Sequence, residues 1–393
     1  MSEWSYRTLD QMGIVSRGKS KHRPRNDVRL FGGKYPFIQT GDIGAAGLYV
    51  TEYSQTYNEE GLAQSKLWER DTLCITIAAN IADTALLAFP ACFPDSIMGF
   101  IPFKDIANVK YVKYCFDILQ KDCQQISQGT AQDNLSWKKL STIKFPCPPI
   151  EVQNKIATIL SRYDSLIENY QKQIKLLEEA AQRLYKEWFV DLRFPGHENT
   201  KIVDGVPEGW EKKAVSQLGD YLNGFAFKPS DWQTTGKPII KIKEMGNGVG
   251  NDTPRNNGER VPAKYLVKSG DLLFSWSATL MVIVWSGDEG WLNQHLFKVT
   301  PSEGIGREFL LQSISNAIEE FQNLTTGSTM KHIQRNKLDQ VFVNVPNDEI
   351  MKSYSNIAEK TREQILHLSS QIRLLTEARD RLLPKLMSGE IAV

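Results

Sequence analysis

The segment Gly13–Ser20 matches the phosphate-binding pattern G-x4-G-K-[ST] residue for residue. Such a loop holds phosphate only where a buried strand precedes it and a helix follows, because backbone amides and the helix N-terminus then converge on the anion. Here Thr8–Met12 does not have the pattern of a buried strand, and Pro24 blocks the first turns of a following helix. The matching segment of the second half, Gly219–Phe225, has no Gly-Lys-Ser. We interpret the match as a coincidence and keep a P-loop phosphohydrolase as the alternative function.

Carboxylates and cysteines elsewhere do not form a catalytic pattern. Glu211–Lys213 after Asp204 combines carboxylates with lysines, but this stretch opens a domain, where charges are usually solvated. The sequence has no glycine-rich methyl-donor motif, and Cys147–Ile150 lacks the amide or acid that would hold an adenine amino group. No His/Cys/Asp cluster has metal-ligand spacing. We therefore predict no catalytic residue and no metal ligand in this chain, with a self-contained nuclease as a further alternative.

Basic side chains are densest on a glycine- and proline-containing stretch near the N-terminus. They can follow the phosphates of DNA, and an arginine fork can reach O6 and N7 of a guanine. In the sequence only Asp27 opposes them, and the run continues to Arg29 and Lys34. The alternative is a solvated basic loop without a ligand. The candidate DNA-binding residues here are Arg17, Lys19, Lys21, His22, Arg23 and Arg25.

Further candidate DNA-binding residues lie at other positions of the two halves. In the first half, the amides of Gln132 and Asn134 follow a Gly-Thr turn and could read an adenine. The triplet Asn293–His295 could also read bases, although a hydrogen-bonded strand end is the alternative. For Trp276 we favour core or edge packing over base stacking. The basic candidates of the second half are Lys241, Lys243, Lys331, His332, Arg335 and Lys337.

Two long segments, Glu151–Val190 and Glu349–Leu386, must position these candidates. Apolar residues recur in each with alternating spacings of three and four, which is the seam of a coiled coil. Arg379 interrupts one row, and we favour a side chain that snorkels from the seam, with a partner contact or a register device as alternatives. Packing on the second helix and contact with a partner protein are equally open for Trp188. The predicted seam residues are Ile167, Tyr170, Ile174, Leu177, Leu184, Trp188, Ile365, Leu368, Ile372, Leu375 and Leu382.

The chain is internally duplicated. Gln173–Leu177 reappears as Gln371–Leu375, 198 positions later, and the same shift relates Gly129–Leu184 to the corresponding segment of the second half. The resulting order is domain, helix, domain, helix, with predicted boundaries at residues 1–150, 151–193, 194–348 and 349–393. Because a linker of about sixteen residues starts the second domain near the end of the first helix, we predict an antiparallel helix pair with a domain at either end.

Each domain reads as an α+β fold. Short apolar segments separated by Gly, Pro and Asn predict strands, and one longer helix is expected in each domain, over Asp105–Ile126 and Arg307–Leu324. The predicted strands are Pro36–Ile43, Thr72–Ile77, Ile239–Ile242, Leu272–Trp276 and Leu296–Val299.

Composition limits the class of protein. The 393 residues suffice for two or three domains, and the net charge of +1 means that any nucleic-acid binding must come from local segments. All five cysteines lie in the first half without Cys-x-x-Cys spacing, which indicates reduced thiols. With no secretory signal and no membrane span, we expect a cytoplasmic protein.

Four motifs resemble the specificity subunits of type I restriction–modification systems. Arg381–Ile391 resembles the C-terminal conserved segment of that family, and Leu184–Asp191 resembles its central one. Tyr35–Ile43 and Pro207–Trp210 resemble the openings of target recognition domains. The order of domains and helices extends the likeness over the whole chain.

This resemblance implies a non-catalytic reader of a split DNA sequence. Two homologous target recognition domains would each bind one half of a double-stranded target, while the coiled coil acts as a ruler for the unread gap. Two methyltransferase subunits and restriction/translocase subunits are the implied partners, in a system of phage defence. S-adenosylmethionine, ATP and Mg are expected on those partners, and no cofactor in this chain. A two-site binder of another polymer is a weaker alternative.

Overall fold

A computed structural model describes residues 4–78, 81–127, 137–324 and 335–393. The chain forms two compact units, of which unit 1 comprises Met1–Asn169 and Arg373–Val393, and unit 2 comprises Tyr170–Ile372. Both long helices cross the boundary between the units. The helices are α1 (Leu9–Met12), α2 (Thr40–Ala45), α3 (Glu59–Ala63), α4 (Val109–Ser127), α5 (Trp137–Leu140), α6 (Ile150–Tyr185), α7 (Ile242–Asn247), α8 (Arg307–Asn323) and α9 (Asp348–Met387).

Unit 1 contains two main sheets. Its strands are β1 (Ser5–Arg7), β2 (Gly13–Arg17), β3 (Phe31–Phe37), β4 (Tyr49–Val50), β5 (Gln55–Tyr57), β6 (Leu67–Trp68), β7 (Leu73–Thr76), β8 (Thr84–Leu87), β9 (Ala91–Cys92), β10 (Ile97–Pro102) and β11 (Phe145–Cys147). The five-stranded sheet has the order β2-β10-β7-β8-β4, and the four-stranded sheet has the order β5-β3-β9-β6. Helix α4 packs on the larger sheet, and all five cysteines are buried free thiols.

Unit 2 repeats this plan. Its strands are β12 (Ile202–Val203), β13 (Val206–Pro207), β14 (Glu211–Ala214), β15 (Gly219–Asn223), β16 (Lys237–Ile240), β17 (Arg255–Asn256), β18 (Leu266–Val267), β19 (Leu272–Ser275), β20 (Met281–Val284), β21 (Gly290–Leu292), β22 (Leu296–Pro301) and β23 (Phe342–Val345). One sheet has the order β15-β22-β19-β20, and the other has the order β17-β16-β21-β18. Helix α8 packs on β20 of the first sheet.

The long helices pair within each unit. In unit 1, Leu160 near the start of α6 and Leu386 near the end of α9 belong to one buried cluster. In unit 2, a π-helical turn, Lys186–Val190, follows α6, and its Phe189 ring lies 4.8 Å from that of Tyr354 near the start of α9. The start of one helix thus meets the end of the other, which is the predicted antiparallel arrangement. In the described part of the chain, no helix combines the length and the apolar character that a membrane crossing requires.

The predicted seam residues all turn away from solvent. Ile167, Ile365 and Leu368 are buried, and the other eight are half-buried. Leu176 and Leu374, which lie outside the predicted seam, are 64% and 50% exposed. The heptad pattern therefore separates the covered face of each helix from its solvent face.

Arg379 does not snorkel from the seam. Its guanidinium donates to Asp164 Oδ1 at 2.7 Å, and the Asp164 carboxylate also accepts from the Tyr114 hydroxyl. The expectation of snorkelling was wrong because a carboxylate on the facing helix neutralises the charge inside unit 1. The interaction joins α4, α6 and α9 through one buried carboxylate.

Three predicted boundaries also need correction. The strand predicted over Ile239–Ile242 is β16, Lys237–Ile240, and Ile242 begins α7. The strand predicted over Pro36–Ile43 ends at Phe37, and α2 begins at Thr40 because Asp42 Oδ2 accepts from the Gln39 N–H at 2.7 Å. The helix predicted from Asp105 begins at Val109, since Asn108 Oδ1 accepts from the backbone N–H of Lys110 at 2.9 Å. Short helices beyond the single one expected in each domain also occur. Capping side chains rather than apolar spacing set these ends.

A second buried ion pair holds unit 2 together. Glu308 on α8 is 1% exposed, and its two carboxylate oxygens accept from Arg362 on α9 at 2.8 and 3.2 Å. Burial raises the pKa of the Glu308 carboxyl, although the hydrogen bonds from Arg362 oppose that shift. Beside it, Arg307 donates to Glu359 at 2.5 Å. Helices α8 and α9 are therefore joined by matched charges.

The substitution Arg362→Met should destabilise unit 2 by about 3–5 kcal/mol, because it leaves the Glu308 carboxylate buried and unpaired. The matched control is Arg183→Met, which removes an 82% exposed side chain that pairs with Glu179 on the same helix. Surface pairs of this kind contribute little. Urea unfolding of the full chain measures both variants. Equal losses in the two variants would contradict the assignment.

Candidate nucleic-acid interface

The two units share one backbone arrangement at the same end of their central sheets. In unit 1, Arg17 at the end of β2 is opposite Met98, and Ile97 at the start of β10 is opposite Thr76 at the end of β7. In this antiparallel sheet these strand ends lie at one edge. We name the residues around them, Arg17–Lys19, Ile77 and Phe93–Ser96, the loop end of unit 1.

Unit 2 has the same register. Asn223 at the end of β15 is opposite Phe297, and Ser275 at the end of β19 is opposite Leu296 at the start of β22. The loop end of unit 2 accordingly comprises Asn223–Phe225, Trp276 and Leu292–His295.

Equivalent hydrogen bonds fix both loop ends. In unit 1, Gly18 N donates to Ile97 O at 2.8 Å and Lys19 N donates to Phe93 O at 3.0 Å. In unit 2, Gly224 N donates to Leu296 O at 3.0 Å, and Phe225 N donates to Leu292 O at 2.9 Å.

We name the segments around Gly18 and Gly224, which make these hydrogen bonds, the backbone crossings. Each crossing requires a glycine because neighbouring backbone atoms leave no room for a side chain. A Cβ on Gly18 would lie 2.3 Å from Pro94 O, and one on Gly224 would lie 2.2 Å from Asn293 O. The chain therefore crosses in the same way twice, and the two loop ends are equivalent sites.

The basic stretch of the sequence leads out of the loop end of unit 1. His22 is half-buried, whereas the other five candidates are exposed: Arg17, Lys19, Lys21, Arg23 and Arg25. Their positive charge is thus presented to solvent beside a rigid sheet edge.

This stretch is anchored rather than loose. The side-chain oxygen of Gln64 accepts from the backbone N–H groups of Lys21 and His22 at 2.6 and 3.0 Å. The Arg23 guanidinium donates to the carbonyl oxygen of Ser20 at 2.6 Å. A basic loop with this many fixed points can hold its guanidinium groups in set directions.

Two acidic residues organise the basic side chains. Asp27 lies 2.8 Å from the ring of His22, and hydrogen bonds from Arg29 hold the pKa of its carboxyl well below the usual range. Arg25 donates to Asp95 at 2.5 Å, and Arg23 lies 3.7 Å from the same carboxylate. The expectation that only Asp27 opposes the basic run was therefore wrong. No local signal could reveal Asp95, because it lies 70 residues from Arg25.

The loop end of unit 2 is polar and lacks this charge. Asn223 is exposed and its Oδ1 accepts from the Trp276 indole N–H at 3.3 Å. The half-buried Trp276 ring lies 5.9 Å from that of His295 and 6.1 Å from that of Phe297. Trp276 thus packs at the sheet edge, as predicted, against His295 and Phe297.

The basic candidates of unit 2 have varied positions. Lys241 stands at the N-cap position of α7, where its backbone N–H donates to Glu244, and its ammonium lies 5.4 Å above the Trp232 ring. The exposed Lys243 pairs with Asp252. Lys337 ends a 3₁₀ turn and donates to Gln340 at 3.3 Å. The side chain of Arg335 in that turn, together with Gln132, Asn134, Lys331 and His332, lies outside the described residues.

No phosphate-binding loop is formed by Gly13–Ser20. Gly13–Arg17 is strand β2, and Lys21–Asp27 after it forms bends and turns rather than a helix. A P-loop needs the helix that is lacking here. Among the described residues, no group of three or more His, Cys, Asp or Glu side chains could hold a metal ion.

Two like domains, each built on long helices and each presenting an equivalent loop end, define a protein with two equivalent surfaces. A family model described as the type I restriction modification DNA specificity domain matches residues 1–179 and 207–368, well over half of the chain. The chain belongs to this family and carries its domain twice. The matched ranges correspond to the two halves of the internal repeat.

Similar proteins span the whole chain. The MjaIX specificity subunit, from a type I restriction enzyme of Methanocaldococcus jannaschii, is 25% identical over 100% of this chain and 94% of its own length. The HindI specificity subunit of Haemophilus influenzae is 24% identical over 100% of both chains. A crystal structure of the S subunit of a type I restriction–modification system from M. genitalium aligns with a TM-score of 0.59 at 14% identity, covering 98% of this chain and 96% of that one.

These comparisons confirm the family that the motifs indicated. They also confirm the α+β fold with two homologous domains and long helices, and the class of function, a DNA-specificity component rather than a catalytic one.

The substitution Asp27→Ala should speed trypsin cleavage within Lys19–Arg25, because it removes the acceptor that holds His22 and Arg29. The control is Asp10→Ala, at an exposed aspartate in the same unit. Since the pKa of Asp27 is depressed, its anchoring persists below the pH at which an ordinary aspartate protonates and is lost only as the pH falls through the depressed value. Limited proteolysis of the full chain measures the rate. Equal cleavage of both variants would refute the anchoring role.

Proposed function

We propose that this protein reads a bipartite DNA target, with the loop end of each unit directed at one half-site. The observation that carries this proposal is the repeated backbone crossing, which presents Arg17–Arg25 in unit 1 and Asn223 with Gln294 in unit 2 from equivalent positions. Arginine and lysine groups bind phosphates, and side-chain forks and amides read base edges. Family membership supports DNA as the polymer.

We also propose that the paired helices set the unread gap between the half-sites. Helix α6 has 36 residues and α9 has 40. At ~1.5 Å per residue each is on the order of 55–60 Å long, which exceeds one turn of DNA, ~34–36 Å. Because both helices contribute to the buried core of each unit, a change in their length should be transmitted to the target.

In this proposal, the partner subunits carry all catalytic activity. Two methyltransferase subunits would bind S-adenosylmethionine, and restriction/translocase subunits would use ATP and Mg, with the complex acting in the cytoplasm. The relatives are named as specificity subunits of restriction enzymes, which supports such an assembly. The exposed face of the long helices, with residues such as Leu166 and Leu374, offers a surface for it.

The double substitution Lys19→Gln with Lys21→Gln should weaken DNA binding and flatten its salt dependence. Each lost phosphate contact reduces the slope of log affinity against log salt by about 0.9. The control, Lys155→Gln with Lys172→Gln, makes the same change in net charge on exposed positions of α6. Binding of the full chain to target DNA at several salt concentrations measures both slopes. Equal slopes in the two variants would show that the basic stretch does not contact phosphates.

Inserting one heptad after Gln173 and another after Gln371 should widen the gap by about three base pairs, because seven helical residues add ~10 Å. These positions are equivalent in the repeat, so the apolar seam stays in register. Both half-sites should be unchanged. The control inserts seven residues after Asp204, in the exposed turn between β12 and β13, and should leave the gap as it was. Sequencing of methylated adenines reports the motif, and an unaltered gap in the helix variant would refute the ruler.

A further inference from the structure

The equivalent loop ends of the two units differ in chemistry at one matched position. Asp95 and Gln294 each stand two residues before the strand that follows, β10 or β22. In unit 1 the Asp95 carboxylate accepts a hydrogen bond from the Arg25 guanidinium at 2.5 Å and lies 3.7 Å from that of Arg23. In unit 2 the same backbone position carries the uncharged amide of Gln294.

Gln294 and His295 carry buried polar atoms that the rest of unit 2 leaves unsatisfied. Gln294 Oε1 and His295 Nδ1 have no hydrogen-bond partner among the described residues. Their neighbours are paired, since Asn223 accepts from Trp276 and Asn293 Oδ1 accepts from the His295 N–H at 3.3 Å. Buried polar atoms without a partner are rare in folded proteins. Of the eight such atoms among the described residues, Gln294 Oε1 and His295 Nδ1 are the two on consecutive residues, and both lie at the loop end of unit 2. This placement points to a site that a polar group from outside completes.

The backbone around this site is fixed. Gln294 N donates to Phe225 O at 3.0 Å, which ties the residue to the crossing. The neighbouring turn after β19 holds Ala278 at φ 58°, a left-handed conformation that a residue with a Cβ rarely adopts. The Ser275 hydroxyl donates to Thr279 O across that turn. Gln294 as a residue is half-buried, and its Oε1 is buried in this structure. The last torsion of a glutamine side chain is soft, so the amide can turn toward a ligand.

The chemistry of an amide at this position selects among the bases of DNA. In the major groove, hydrogen-bond donors come only from the amino groups of adenine and cytosine. A glutamine amide offers an acceptor and a donor side by side, which fits N6 and N7 of adenine, whereas cytosine can use only the acceptor. Guanine presents two acceptors and suits an arginine fork, such as those of unit 1.

We propose that Gln294 reads an adenine in the half-site bound by unit 2, from a backbone position that its hydrogen bond to Phe225 holds in place. This inference rests on the proposed function and adds the residue and the base to it. The basic residues Lys241 and Lys243 then lie outside the reading position, one stacked over Trp232 and the other paired with Asp252.

The experiment compares the methylated motif of the full chain with those of Gln294→Ala and Gln294→Glu, each co-expressed with its methyltransferase partner. Gln294→Ala should relax one adenine position in one half-site, with a loss of discrimination of roughly tenfold to a hundredfold. Gln294→Glu should shift the preference at that position to cytosine, because a carboxylate only accepts. The other half-site and the gap should remain unchanged in both.

The control is Gln182→Glu, the same change on an exposed position of α6 in unit 2, which should leave the motif unaltered. Thermal unfolding shows that each variant is folded, and the two substitutions at residue 294 give independent readings. If the unsubstituted chain has a bipartite motif and both variants retain it, the assignment of Gln294 is refuted while the proposed function stands. If the unsubstituted chain has no bipartite motif, the proposed function itself fails.

Discussion

The long helices are part of the core of each recognition domain, and this shared burial is the constraint on which the structure depends. In unit 1, Ile156 and Leu160 of α6 and Leu386 of α9 lie in one buried cluster with Tyr111 and Phe116 of α4. Each such side chain contributes ~1.5–3 kcal/mol by leaving water. A domain cannot pivot on helices that complete its core. Within each unit, the direction of the loop end relative to the helices is therefore fixed by packing.

Charge makes this packing specific to each unit. Asp164 on α6 and Arg362 on α9 occupy the same place in the repeat, yet they carry opposite charges. Asp164 is satisfied by Tyr114 and Arg379 in unit 1, and Arg362 is satisfied by Glu308 in unit 2. A buried ion pair adds little net stability, but a buried charge without its partner is costly. Each domain helix thus fits only the long helices of its own unit, although the two halves share a fold.

The features that follow from periodicity could be predicted, and those that depend on distant partners could not. Heptad spacing predicted α6, α9 and their covered faces, because the same spacing of apolar residues repeats along most of each helix. The end of β3 at Phe37 was missed because a single capping carboxylate, Asp42, decides it. The pairing of Arg25 with Asp95 was invisible because the fold alone brings them together. Counting basic residues pointed to Lys241 and Lys243 in the second half. The equivalent backbone crossing instead singles out the triplet Asn293–His295, for which the sequence left a hydrogen-bonded strand end as the alternative to base reading.

The near-zero net charge limits how the two unlike loop ends could both bind DNA, as we propose. With a net charge of +1, the chain as a whole provides no long-range attraction for DNA, so affinity must come from local contacts. Five exposed basic residues from Arg17 to Arg25 can supply phosphate contacts in unit 1, but these depend strongly on salt. The uncharged Gln294 amide would gain little affinity from phosphate contacts. An amide placed against the wrong base would, however, leave polar atoms unpaired, and this loss of affinity depends little on salt concentration. If both loop ends bind DNA as proposed, their place in one chain makes the second contact intramolecular, so a site that binds weakly alone can still decide which sequence is held.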